Sequence, residues 1–369
     1  MITNRYRPML ESIYKKALAR EDITAEEAVS LFENAPLYRL MEIAQQLRFI
    51  HVPGKKASWQ IDRNVNYTNV CISGCLFCNF HCKVSEKEKA QTVSAGQYRE
   101  KIRVLLEHGG RQLLLQGGLH PHYDISYYTT LFRQLKEIEP SLKLNALGPP
   151  EIAHIARLSR LTYKETLIRL MEAGLDTLPG AGAEILSERV RKIISPAKPT
   201  AAQWIEVMKE AHRLGMSTTA TMVYGHIETI RERMEHLITL REIQKERPEG
   251  QPGFRAFICW PMQTKGTRLA ALYPDIPAQT PADYIRMIAL SRIILNNILH
   301  IQASWLTVGA ETAKLCLHAG ADDMGSIMIE ENVVSSAGAR NTLDAAGIQK
   351  TISEAGFTPW RRNQLYEPE

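Results

Sequence analysis

From Val65 onward, short β-branched or apolar stretches alternate with longer amphipathic ones, and this alternation constrains the fold more than any other feature. Candidate strands fall near 65–70, 112–116, 142–147, 177–179, 218–224, 256–260, 301–305 and 323–326. Between most of them lie helical patterns, at Ala95–His108 (capped by Ser94 with Gln97), Tyr127–Ile138, Ala201–Leu214, Thr229–Glu246 and Pro281–Asn296. Repeated strand–helix alternation specifies a parallel sheet, and eight such units specify a closed barrel. The predicted class is therefore α/β, a (β/α)8 TIM-type barrel with an N-terminal helical extension. That extension reads from Thr24-Ala25-Glu26-Glu27, a capping box before an apolar run, and from the helical period of Leu37–Phe49. The expected organisation is a helical extension over 1–55, the barrel over 56–340, and a final helix near Asp344–Ala355 with a polar tail over 341–369. The longest loop-like stretch is Gln263–Thr280.

Several predicted strands end in glycine-rich or polar sequences: Gln116-Gly117-Gly118, Asn145 to Pro150, Pro179 to Glu184, and Tyr224 to Glu228. In a barrel these converge on the face made by the C-terminal strand ends, where active sites sit. The pattern therefore points to an enzyme.

The chain has 369 residues, enough for a barrel of roughly 250 with additions at both ends. Its net charge of +5 is spread out, and basic groups such as Arg189-Val190-Arg191-Lys192 alternate with acids. A nucleic-acid surface needs a denser basic stripe. No apolar run is long enough to span a bilayer, and Met1–Tyr6 lacks the pattern of a signal peptide. A cytoplasmic location is expected. In that compartment six cysteines do not suit a disulfide framework, and clustered ones suggest metal or redox chemistry.

Three of the cysteines, Cys71, Cys75 and Cys78, form C-x3-C-x2-C directly after the first predicted strand. A [4Fe–4S] cluster of the ferredoxin type takes four thiolates. Three in one short loop leave one iron without a protein ligand, free to chelate the amino and carboxylate groups of S-adenosyl-L-methionine. Gly74 lets the loop turn tightly, and Phe77 offers an apolar ring near cluster or adenine. Cys82 keeps a four-thiolate zinc site or an electron-transfer cluster open as alternatives, the zinc site belonging to a binding module rather than an enzyme. Zinc sites usually arrive as two separated C-x2-C knuckles, however, and only one is present. Cys259 and Cys316 lie in apolar runs and read as core, as do Trp204 and Met208.

At this motif the sequence resembles the radical S-adenosylmethionine superfamily, and more narrowly its futalosine-pathway menaquinone branch and the deazaflavin (F420 precursor) synthases. The resemblance runs from about Asp62 to Tyr366. It rests on Asp62 to Cys71, Gln116 to Pro121, Leu178 to Leu186, Thr219 to His226 and Met328 to Val334, which resemble the cyclic dehypoxanthinyl futalosine synthase family. Two segments depart from that pattern: His81-Cys82 after Phe80, and Pro261-Met262-Gln263 after Trp260.

The resemblance implies that a 5′-deoxyadenosyl radical takes hydrogen from C4′ of dehypoxanthine futalosine. The carbon radical then adds to the benzoate ring, and loss of a proton and an electron restores aromaticity. It also implies an electron donor such as flavodoxin or ferredoxin, and places the cofactor's methionine amino group at Gln116, Gly117 and Gly118. Aminofutalosine synthase and a deazaflavin synthase component are the neighbouring alternatives.

Other candidates are read from residue chemistry. Glu184 could bind ribose hydroxyls, or simply favour a helix dipole. Arg191, with Arg189 and Lys198, could hold a carboxylate. His120 and His226 each follow a strand end and could accept the proton lost on rearomatisation, although each alone is more often structural. Asn145, Glu151, Glu228, Glu330 and Glu331 are further polar residues predicted on the active face, most of them equally well explained as helix caps.

Overall fold

The computed structural model describes residues 7–369. Its centre is one parallel sheet of ten strands: β1 (Lys56–Gln60), β2 (Asp62–Asn66), β3 (Gln112–Gln116), β4 (Lys143–Ala146), β5 (Thr177–Leu178), β6 (Ser217–Tyr224), β7 (Gly253–Pro261), β8 (His300–Gln302), β9 (Asp323–Ser326) and β10 (Thr358–Arg361). From β2 to β9 the strands neighbour one another in sequence order, followed by β1 and then β10. Only Ile61 separates β1 from β2, so one stretch of chain pairs with β9 in its first half and with β3 in its second. The curled sheet meets itself at this joint. Asp62 N donates to Ser326 Oγ at 3.0 Å, and Ile329 N donates to Asp62 O at 3.4 Å. The α/β barrel architecture expected from the alternation is thus present, enlarged by β1 and β10.

The connecting helices begin where side-chain caps can satisfy their free N–H groups. Capping boxes at Ser94, Thr162, Thr200, Thr229 and Thr280 start the helices Ala95–Glu107, Tyr163–Glu172, Ala201–Arg213, Ile230–Lys245 and Pro281–Ile294. Three further helices, α1 (Arg7–Leu18), α2 (Ala25–Asn34) and α3 (Leu37–His51), form the N-terminal extension. α3 runs along helix Pro281–Ile294, which lies between extension and barrel and buries every residue from Met287 to Ile294. A helix buried on every side needs cover all round, and α3 supplies the outer layer, while the buried Arg292 is neutralised by Asp322 at 2.7 Å. Cys259, Cys316, Trp204 and Met208 are all fully buried, as the apolar runs around them predicted. None of the helices is long and apolar enough to cross a membrane, among the described residues.

The segment after β10, expected to be a polar tail, instead docks under the barrel. Arg362 pairs with Asp323 at the start of β9 at 2.5 Å. Tyr366 stacks on His300, with ring centroids 3.9 Å apart, at the start of β8. Gln364 Oε1 accepts a hydrogen bond from Thr177 Oγ1 at 3.1 Å, at the start of β5. These contacts close the end of the barrel opposite the glycine-rich strand ends.

Candidate active site

Beyond β2 the chain leaves the sheet and is held by a short bridge. Cys71 N donates to Cys82 O at 3.0 Å and Cys82 N to Asn69 O at 2.9 Å. Asn69 fastens the returning strand with its side chain, accepting from Gln91 N at 2.7 Å and donating to Lys89 O at 2.9 Å. Gly74 takes φ +57°, a left-handed turn that suits glycine. Leu76 then ties the loop to Ile194 O and Leu269 N.

Within this loop the Ser73 hydroxyl lies 2.9 Å from Cys71 Sγ and 3.4 Å from Cys75 Sγ. Leu119 N donates to Cys71 Sγ at 3.3 Å. Burial pushes the Cys75 thiol up to about 11 against the pull of Lys198, so metal binding there must displace a proton. Burial also acts on Cys78, but hydrogen bonds from His81 and from the Phe80 backbone outweigh it and hold the thiol below its usual range. The Cys82 thiol donates to Asn69 Oδ1 at 3.4 Å and takes part in the bridge rather than the loop. This donor set fits the expected cluster: three sulfurs on one loop, backbone N–H groups aimed at sulfur, and the nearest other cysteine turned aside.

Gly117 and Gly118 pass directly over this loop. A methyl group on Gly118 would stand 2.3 Å from Val70 O and 2.9 Å from Cys71 Cβ, and one on Gly117 would meet the Tyr67 ring at 2.8 Å. Only glycine permits so close an approach of β3's exit to the first cysteine. Gln116 is anchored through its amide to Leu147 O at 3.1 Å.

On the neighbouring rim Glu184 is buried with φ +42°, a strained value for a residue other than glycine. Lys198 Nζ contacts its Oε1 at 2.7 Å and Arg191 lies 3.5 Å from Oε2, which has no hydrogen-bond partner. Burial would raise this carboxyl, yet Lys198 and Arg191 hold it below the usual range. Lys198 Nζ also lies 5.4 Å from the Phe77 ring centroid, bringing this cluster beside the cysteine loop. Arg191 spends its remaining donors on the carbonyls of Gly182, Ala183 and Pro199. Arg189 instead pairs with Glu232 at the surface. Glu151 is buried near Gly148, and burial pushes its carboxyl up to about 7.

Between the glycine-rich rim and the C-terminal floor lies a cavity of about 270 Å³. Its upper wall includes Gln116, Glu184, Trp260 and Trp305, and its floor includes Asp62, Gln112 and Arg362. The two histidines expected as proton acceptors do not line it. His226 is buried beneath the rim, with Nε2 hydrogen-bonded to Val223 O at 3.1 Å and Nδ1 3.0 Å from Glu228. His120 stacks on Tyr123 at 3.7 Å, and its Nδ1 accepts from His122 N. Both residues follow strand ends, and their ring nitrogens are engaged by neighbouring loop groups rather than by the cavity. Glu228, Glu330 and Glu331 also serve structure: they hold Arg233, Arg63 with Lys101, and the backbone of Val333–Ser335.

Sequence reasoning passed over Asp62, Trp305, Arg362, Gln364 and Tyr366 as cavity residues. They come from β2, the exit of β8 and the tail, and only tertiary closure brings them together.

A parallel barrel with a three-cysteine loop beside a glycine pair defines a radical S-adenosylmethionine enzyme. Known proteins agree. The model of the Radical SAM superfamily matches residues 65–240, and that of the CofH/MqnC C-terminal region matches 251–369. The cyclic dehypoxanthine futalosine synthase of Streptomyces coelicolor is 41% identical over 97% of this chain and 88% of its own length. The same-named protein of Halalkalibacterium halodurans is 39% identical, covering 97% and 94%. A 5-amino-6-(D-ribitylamino)uracil–L-tyrosine 4-hydroxyphenyl transferase of Archaeoglobus fulgidus is 35% identical over 89% and 93%. Among solved structures, methylornithine synthase shares the fold with TM-score 0.72 at 17% identity, covering 94% of this chain and 97% of that one. The chain belongs to the radical SAM superfamily and, within it, to the family of the cyclic dehypoxanthine futalosine synthases.

Proposed function

We propose that this enzyme closes dehypoxanthine futalosine into cyclic dehypoxanthinyl futalosine, forming a carbon–carbon bond on the way to menaquinone. The observation that carries the reading is the near-full-length identity of 41% and 39% to two proteins of that name. Bound at Cys71, Cys75 and Cys78, a [4Fe–4S] cluster with S-adenosyl-L-methionine supplies the 5′-deoxyadenosyl radical.

The chain's own residues do the rest. Gly117 and Gly118 present backbone to the methionine end of the cofactor, with Gln116 braced behind them. Phe77 faces the adenosyl part. Glu184 offers Oε2, which accepts no hydrogen bond, to ribose hydroxyls, and Lys198 with Arg191 keeps that carboxylate ionised. Trp260 and Trp305 give the substrate's aromatic ring an apolar wall inside the barrel cavity.

The reductant in this reading is a flavodoxin or ferredoxin, and the setting is the cytoplasm. In the same reading 1–55 is the helical extension, 56–340 the barrel and 341–369 the C-terminal helix and tail.

Anaerobic turnover tests the assignment. Dehypoxanthine futalosine should yield cyclised product and 5′-deoxyadenosine in equal amounts. Because the hydroxyphenyl transferases are 35% identical, 5-amino-6-(D-ribitylamino)uracil with tyrosine is the comparison substrate. Product from that pair alone, or from an enolpyruvyl-benzoate substrate alone, would overturn the cyclase reading.

A further inference from the structure

When a carbon radical has added to an aromatic ring, one ring carbon becomes tetrahedral and keeps its hydrogen. Restoring the ring breaks that C–H bond. The bonding pair re-enters the π system, one electron leaves to a one-electron acceptor of the iron–sulfur class in its oxidised state, and the proton needs a base within reach.

Among the described residues, four titratable side chains line the cavity: Asp62, Glu184, Arg362 and Tyr366. Arg362 is a cation bound to Asp323. Burial raises the Tyr366 hydroxyl well above its ordinary value, so it keeps its proton. Glu184 is tied to two cations, which makes it a weak base. Asp62 differs from all three, because the groups hydrogen-bonded to its side chain are neutral donors. Ser326 Oγ donates to Oδ1, and the amides of Gln60 and Gln112 donate to Oδ2 at 3.3 Å each. Burial pushes its carboxyl up, with Ser326 and the more distant Arg362 opposing. A proton arriving there breaks no ion pair. Gln112 beside it is 7% exposed and its Oε1 has no partner, leaving one acceptor free for a polar group of a ligand.

We propose that Asp62 is the base that takes the ring proton as aromaticity is restored. The inference rests on the cyclase reading above, and its test separates the two. In Asp62→Asn the side chain keeps its size and loses its basicity. Calorimetric titration of dehypoxanthine futalosine into the cluster-free variant should give a Kd within about threefold of wild type. In the loaded enzyme cyclised product should fall about 100-fold. 5′-Deoxyadenosine should continue to form, so its ratio to product rises well above one, and an organic radical should accumulate in the electron paramagnetic resonance spectrum.

A ratio that stays at one with turnover near wild type overturns the proposal. So does a large loss of binding with the ratio unchanged, which would make Asp62 a substrate-binding group. If Asp62→Asn fails to fold, Asp62→Glu carries the test, because it keeps the base but displaces it. A raised ratio supports the role, and an unchanged ratio with unchanged turnover defeats it. If wild type leaves dehypoxanthine futalosine untouched, the substrate assignment falls instead.

Discussion

Gly118 shows how a single residue connects sequence to chemistry here. Its missing side chain lets β3's exit lie against Val70 and Cys71, and an added methyl would overlap a carbonyl oxygen. Gly118→Ala should therefore displace the first cluster ligand. Iron content and the visible thiolate-to-iron band should both fall after anaerobic reconstitution, while the far-ultraviolet spectrum stays that of wild type. Cys71→Ala should lose the band, and Cys82→Ala should keep it, because the Cys82 thiol is engaged with Asn69. The three cluster cysteines could be read from spacing alone, since their chemistry is set by a loop of eight residues. Histidine roles could not. Whether His226 faces the cavity or Glu228 depends on how the chain turns after β6, and no local pattern records that turn.

Individual elements were legible to the extent that they follow a local rule. Two helix starts were legible from their caps, Thr24 with Glu27 and Ser94 with Gln97, because Ser or Thr followed three residues later by Glu or Gln marks a start. β2 was misplaced towards Val65–Val70, because the apolar residues there line the descent to the cysteine loop while the ladder is made by Asp62–Asn66. β10 escaped notice because Thr-Pro-Trp-Arg has little strand character, and Pro359 is tolerated only because that strand forms the sheet edge. Helix Pro149–Ser159 starts on Gly148 with no side-chain cap, so its start resembled a loop, whereas helix Tyr163–Glu172 went unread despite its capping box at Thr162.

The cap at Thr229 carries a measurable share of stability. Its partner Glu232 also accepts from Ser187 and pairs with Arg189. Thr229→Ala should cost about 1 kcal/mol in chemical denaturation. The same cluster adds a pH dependence. Arg189 lowers Glu232 to about 2, with burial opposing and the Thr229 cap assisting. A depressed carboxyl stabilises the fold above its unfolded value and loses that contribution as pH falls through the folded one. Stability should thus decline between about pH 4.5 and 2, and Glu232→Gln should flatten that limb.

Across the whole molecule, the barrel depends on contacts between its two ends. Arg362 and Asp323 form a buried ion pair, and removing one partner leaves the other charge buried and uncompensated. Arg362→Ala should lower stability by about 3–5 kcal/mol, read from the denaturation midpoint. A chain cut after Glu354 should lose β10 and the cavity floor together. It should be prone to proteolysis and unable to form product even where iron is retained. The barrel class was legible because eight repeats of one pattern survive errors in any one of them. The floor was not, because a tail gains meaning only once β5, β8 and β9 present their lower ends to it.

Translation delivers this protein's parts in a fixed order. The thiols at 71–78 leave the ribosome long before Arg362 and Tyr366, so a nascent barrel presents its sulfur ligands while its underside is still open. Confinement, on which control of a free radical depends, therefore comes later than the sulfur ligands themselves.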